Sequence, residues 1–101
     1  MATTLRWYGH ATIGMESNGY RLLVDPFFKG NTATTQKPDE IEADYILITH
    51  GHGDHVGDAQ QIARRTGATI ISNAEICTWF ARQGFKTHAQ HLGGGYHYTF
   101  G

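Results

Sequence analysis

The apolar and polar positions of the chain fall into two regimes. Residues 3–8 are rich in β-forming side chains and stop at Gly9. Residues 11–16 read as a second strand, Ser17-Asn18-Gly19 as a turn, and residues 20–25 (Tyr-Arg-Leu-Leu-Val-Asp) as a third strand. Pro26 ends that strand because it removes a ladder donor. A meander of three antiparallel strands is therefore expected. Residues 27–39 show no periodicity and carry Gly, Asn, Thr, Gln and Pro, which predicts a loop with Phe27 and Phe28 packed beneath it. Residues 43–49 contain Tyr-Ile-Leu-Ile, apolar at every position, which predicts a strand covered on both faces.

Helical spacing follows. Val56, Ala59, Ile62 and Ala63 place one apolar stripe on a helix over 56–66, and Gly67 is its stop. A short buried strand over 68–71 precedes a capping box in form, Ser72-x-x-Glu75, with Asn73 as the alternative cap. The helix that follows runs to Gln83, burying Ile76 and Phe80, with Gly84 after it. From Lys86 onward the pattern weakens, and residues 96–100 read as one more strand or hairpin arm. Three strands and then strand–helix–strand–helix predict an α/β fold, layered, with helices on one face of a sheet. Trp7, Trp79 and the phenylalanines are expected in the core.

Composition narrows the function classes. The chain has 101 residues, sized for one small domain, with 40% apolar and 17% charged residues. Eight Lys and Arg balance nine Asp and Glu, and no basic face appears, so nucleic acid is not an expected partner. No apolar stretch is long enough to span a bilayer, and the N-terminus lacks the pattern of a signal peptide. Cys77 is the single cysteine and is expected to pack as a small apolar residue. Together these favour the cytoplasm.

Histidine and glycine are the two excesses, and both cluster in His50-Gly51-His52-Gly53-Asp54-His55. Neutral imidazoles and a carboxylate are the ligand types of a zinc site. In an extended or looping segment His50 and His52 point the same way, while Asp54 and His55 fall at the mouth of the next helix. Glycines 51 and 53 leave the backbone free to wrap an ion. The segment thus offers His50 and His52 to one ion and Asp54 and His55 to a second. Two ions roughly 3.5–4 Å apart are suited to clamp the attacking and leaving oxygens of a hydrolysis.

The string Thr49-His50-Gly51-His52-Gly53-Asp54-His55 resembles the HxHxDH motif of the metallo-β-lactamase superfamily. Trp7-Tyr8-Gly9-His10-Ala11 and Leu23-Val24-Asp25-Pro26-Phe27 resemble the branch of cytoplasmic metal-dependent hydrolases that includes the ascorbate-phosphate lactonase. The resemblance implies an αββα sandwich, of which residues 1–101 are the N-terminal half. It implies two divalent ions, zinc in first place with Mn, Fe or Ni as substitutes. It implies hydrolysis of an ester, lactone or phosphodiester by a metal-activated water, with Asp54 as ligand or proton acceptor. The family takes its remaining ligands from later segments, so a second polypeptide or C-terminal segment is expected to complete the site. A small-molecule substrate is implied, and assembly of identical copies is compatible. The alternative is a metal-binding fragment or subunit without catalysis.

Two further residues are candidates. His10 lies in the turn between the first two strands. As a catalytic residue it stands near the ions or contacts substrate; otherwise it is a turn histidine held by backbone bonds. Asp25 ends the third strand, where its carboxylate either orients a ligand histidine by accepting its other ring proton or caps the following turn. His88, His91 and His97 are expected to face solvent, and Gly93-Gly94-Gly95 has no strand-to-helix context for phosphate binding.

Overall fold

The structure is a computed structural model and describes residues 3–90 and 95–98. The expected meander is present as β1 (Thr4–Gly9), β2 (Thr12–Ser17) and β3 (Tyr20–Val24), paired antiparallel. Asn18 and Gly19 both have positive φ, 52° and 81°, as a two-residue hairpin loop requires. The chain then crosses over, through a 3₁₀ turn at Pro38–Glu40 inside the expected loop, into β4 (Tyr45–Leu47). After β4 come α1 (Gly53–Val56), α2 (Ala59–Thr66), β5 (Thr69–Ser72), α3 (Ala74–Arg82) and β6 (Thr87–Ala89). The six strands lie in sequence order, β1-β2-β3-β4-β5-β6, antiparallel up to β3 and parallel from there.

Strand register gives the sheet two unlike faces. Leu23, Ile46 and Ile70 lie side by side on one face and form a core with Ile62 of α2 and Phe80 of α3. The opposite face carries Leu5 with Met15, Trp7 with Ile13, and the row Leu22, Tyr45, Thr69. Leu5 and Trp7 are 65% and 70% exposed there. The helices therefore cover one side only. This corrects two expectations. The β4 segment is fully buried only at Ile46 and Ile48, while Tyr45 and Leu47 remain half-buried. Neither tryptophan is in the core: Trp7 stands on the open face, and Trp79, 49% exposed, walls an apolar hollow beside Gly51 and Gly53.

Three local expectations also change. The helix over 56–66 is broken at Gly57 (φ 47°, ψ −120°), a conformation that ends α1 before α2 begins. Gly57 packs against Pro26, and a Cβ there would lie 2.4 Å from the Pro26 carbonyl oxygen. The cap of α3 is Asn73, whose side chain accepts the Ile76 N–H, not Ser72, whose hydroxyl donates to the Ile48 carbonyl. The last strand is β6, not residues 96–100: Tyr96 and Tyr98 have irregular backbone and ring contacts with His88, and Phe100 lies outside the described residues. Cys77 is buried, and that burial pushes its thiol pKa up, in keeping with a packing role. Among the described residues no helix is long and apolar enough to cross a membrane.

Candidate metal centre

β3 and β4 are parallel, so their C-terminal ends emerge at the same edge of the sheet. Asp25 follows the first, and residues 48–55 follow the second. That edge is where α/β sheets place their ligands. The Asp25 N–H still bonds the Leu47 carbonyl at 2.9 Å, after which φ swings to +45° and the side chain turns under the motif loop. A short polar side chain tolerates that left-handed backbone.

The Asp25 carboxylate is buried and organises the loop. Oδ1 accepts the Thr49 N–H at 2.8 Å, and Oδ2 accepts the Thr49 hydroxyl at 2.7 Å and the His55 Nδ1–H at 2.8 Å. An ionised carboxylate only accepts, so each of these hydrogens is assigned by the chemistry. The Thr49 hydroxyl has one hydrogen and gives it to Asp25. Its oxygen therefore accepts from His50 Nδ1, 2.8 Å away. One carboxylate thus sets two tautomers: His55 directly and His50 through Thr49. In both rings Nε2 is left with its lone pair, the state a metal ligand needs.

The imidazoles form a row. Ring centroids are 4.6 Å apart for His52 and His50, 4.0 Å for His50 and His55, and 5.0 Å for His55 and His10. Asp54 sits at the His10 end, with Oδ2 3.2 Å from His10 Nε2 and Oδ1 3.7 Å from His55 Nε2. The structure thus gathers His10, Asp25, His50, His52, Asp54 and His55 at one edge. It does not bring His88 there, since that ring packs on Tyr96 and Tyr98. His97 is exposed, and His91, Gly93 and Gly94 lie outside the described residues. Imidazole lone pairs beside a carboxylate are a donor set that fits a divalent transition-metal ion.

Two residues escaped the sequence reading. Thr49 carries the link from Asp25 to His50; its only sequence signal is a hydroxyl directly before the motif. Asp58 lies behind the centre, its carboxylate accepting the N–H groups of Phe28 and Lys29 at 2.8 and 3.0 Å and its own N–H donating to Pro26. It clasps the turn after Asp25 to the start of α2.

An Asp25→Asn variant tests the carboxylate. Asparagine keeps the size and the tolerance for positive φ, but one oxygen becomes an NH₂. In one orientation that NH₂ opposes the Thr49 N–H. In the other it opposes the Thr49 hydroxyl and His55, whose hydrogens must then reverse and block Nε2. Metal affinity is expected to fall about 10–100-fold with the circular dichroism spectrum unchanged. A zinc titration identical to wild type would leave Asp25 as a turn cap only.

The pattern that defines the Metallo-beta-lactamase superfamily matches residues 6–100. A UPF0173 metal-dependent hydrolase of Carboxydothermus hydrogenoformans is 49% identical over 94 residues, covering 93% of this chain and 42% of that protein. A UPF0173 metal-dependent hydrolase of Bacillus pumilus is 45% identical over 95 residues, again 42% of its length. Among solved structures, a metallo hydrolase from the archaeon Ignicoccus hospitalis superposes with a TM-score of 0.84 at 33% identity, covering 92% of this chain and 42% of that one. The chain therefore spans about 42% of the length of these relatives. With that pattern running through nearly its whole length and its HxHxDH residues gathered at one sheet edge, the chain belongs to the metallo-beta-lactamase superfamily.

Proposed function

We propose that this chain supplies the ion-binding half of a hydrolase that uses two divalent ions, and that a further segment or partner chain completes the site. The observation that carries the reading is the Asp25 clasp, which fixes the tautomer of the neutral His50 and His55 rings so that Nε2 of each carries the lone pair. A site built this way has its ligand geometry fixed before any ion arrives. His50 and His52 serve one ion, and Asp54 and His55 the other. The histidine-rich set suits zinc, and imidazole with carboxylate also accepts Mn²⁺, Fe²⁺ or Ni²⁺. An ion bound by these residues would supply an activated water and would polarise an ester, lactone or phosphodiester. Asp54, half-exposed, holds or takes a proton at the solvent side, with His10 Nε2 beside it.

The need for further polypeptide rests on two features. His50 and His52 are only two ligands, whereas a catalytic zinc site commonly has three plus water. Leu5, Trp7 and Ile13 also leave one face of the sheet apolar and exposed, as a layer awaiting its partner would be. That partner layer would make residues 1–101 the N-terminal half of an αββα sandwich, working in the cytoplasm on a small-molecule substrate. The second reading, a metal-binding fragment without catalysis, draws on the same two-ligand pair.

The test is an assay of ester, lactone and phosphodiester substrates, with the chain alone and with the chain copurified with whatever completes it. The intact mass of the native sample identifies such a component. No turnover is expected from the chain alone. Turnover is expected from the completed protein, lost on chelation and restored by Zn²⁺ or Mn²⁺. Turnover by a verified monomer, abolished by His52→Ala, would sink the requirement for a second segment. Metal-independent turnover by the completed protein would sink the hydrolase reading itself.

A further inference from the structure

We propose that Thr12 and Asp58 are positioning residues of the metal centre, holding the turn at Asp25 from two sides so that its carboxylate sets the tautomers of His50 and His55. This rests on the reading of the motif as a metal site and adds two residues that touch no ion. Asp25 needs such support. Its φ of +45° lies in the left-handed region, and a non-glycine residue stays there only where its surroundings over-determine the backbone. The first support is Thr12 of β2, which is fully buried. Its hydroxyl donates to the Asp25 carbonyl at 2.6 Å and accepts the Phe27 N–H at 3.0 Å. Both ends of the turn Asp25-Pro26-Phe27 are thus bonded to one oxygen atom of a neighbouring strand.

The second support is Asp58, at the start of α2. An aspartate there ordinarily caps its own helix. The Asp58 side chain makes no such bond. Its Oδ2 accepts the N–H groups of Phe28 and Lys29 instead, while its backbone N–H donates to the Pro26 carbonyl. The helix forgoes a cap, and the turn is tied to the segment that follows the motif. Asp25 Oδ2 reaches the Thr49 hydroxyl at 2.7 Å and His55 Nδ1 at 2.8 Å, so a small withdrawal of the carboxylate breaks both bonds. A turn that relaxed would allow that withdrawal. The imidazoles would then be free to carry their hydrogen on Nε2, which blocks the atom an ion needs.

Zinc titration by calorimetry, together with the imidazole nitrogen NMR shifts of the metal-free chain, tests this. Thr12→Val keeps the buried shape and removes the hydroxyl, and the Phe27 N–H retains its bond to the Asp25 carbonyl. Asp58→Ala removes the carboxylate. Each should weaken zinc binding roughly 10–100-fold, the range for a lost outer partner. Each should also move the His50 and His55 shifts from one tautomer toward a mixture of two, which a loss of stability alone does not do. Thr12→Ser keeps the hydroxyl, and Asp58→Asn keeps an oxygen able to accept both N–H groups. Both conservative variants should match wild type in affinity and in shifts. Should Thr12→Val fail to fold by circular dichroism, Asp58→Ala carries the same expectation. Folded variants with wild-type affinity and shifts, beside an Asp25→Asn variant that loses affinity, overturn this inference and spare the motif reading. Binding indifferent to Asp25→Asn and to His50→Ala/His52→Ala overturns the motif reading itself.

Discussion

A His50→Ala/His52→Ala double variant should lose the ion held at its end of the histidine row and retain less zinc than wild type. The two imidazoles meet edge-to-face at 4.6 Å at one end of the row. Removing both leaves that end with solvent alone, so the loss should exceed the roughly 10–100-fold typical of outer-shell changes. Asp54 and His55 are untouched, so the neighbouring donors survive. The fold survives too: neither histidine belongs to the buried core, and the Asp25–Thr49 bonds do not need the His50 ring. Elemental analysis after exhaustive dialysis, beside the titration, reads the result. Equal metal in variant and wild type would remove the assignment of both residues.

Gly57→Ala should be strongly destabilising. At φ 47° and ψ −120° an L-residue is strained, and the added Cβ would lie 2.4 Å from the Pro26 carbonyl oxygen and 2.9 Å from Phe27 Cα. Both obstacles are backbone, so neither can rotate away. Strain and overpacking of this kind cost about 1–3 kcal/mol each, so a loss on the order of 3 kcal/mol is expected. For a domain near this size that lowers Tm by roughly 10–20 °C. The damage reaches the ions as well, because the Asp58 N–H bond to Pro26 and the Asp58 clasp on Phe28 and Lys29 hold the turn after Asp25. Gly51→Ala is the control: a Cβ at Gly51 meets nothing within 4 Å. Thermal unfolding of both variants followed by circular dichroism decides it. Equal midpoints would show that the 26–28 segment can move aside.

The contrast between these glycines shows what was legible in the sequence. Gly51 and Gly53 attract attention because they sit inside the motif, yet neither has a neighbour that a Cβ would strike. One glycine the geometry does demand is Gly57, hidden in a helical stripe that reads straight through from Val56 to Ala63. Periodicity reports which residues are apolar, not where the backbone must turn to admit Pro26. The β1–β3 meander, α2, β5 and α3 were legible because each carries its signal within a few residues. β6 was not, since Thr87–Ala89 are a strand only because β5 lies alongside. The site divides the same way. His50, His52, Asp54 and His55 are one contiguous string. The Thr49 link and the closeness of His10 to Asp54 depend on which strand ends the sheet brings together.

The strictly sequential strand order has a consequence for how the chain is made. Each strand after the first hydrogen-bonds to the one synthesised just before it. Among the described residues each pairing can form once its second strand has emerged; the two hairpins close locally, whereas the parallel pairings from β3 onward must first close longer crossovers and are the slower steps. By the time β5 has joined the sheet, Asp25, Thr49 and the four histidines of the row are all in place. The same order leaves Leu5, Trp7 and Ile13 exposed on the face that no described helix covers. While it stays uncovered, that apolar face is where association between chains would start and where chaperones that recognise exposed apolar strands would bind.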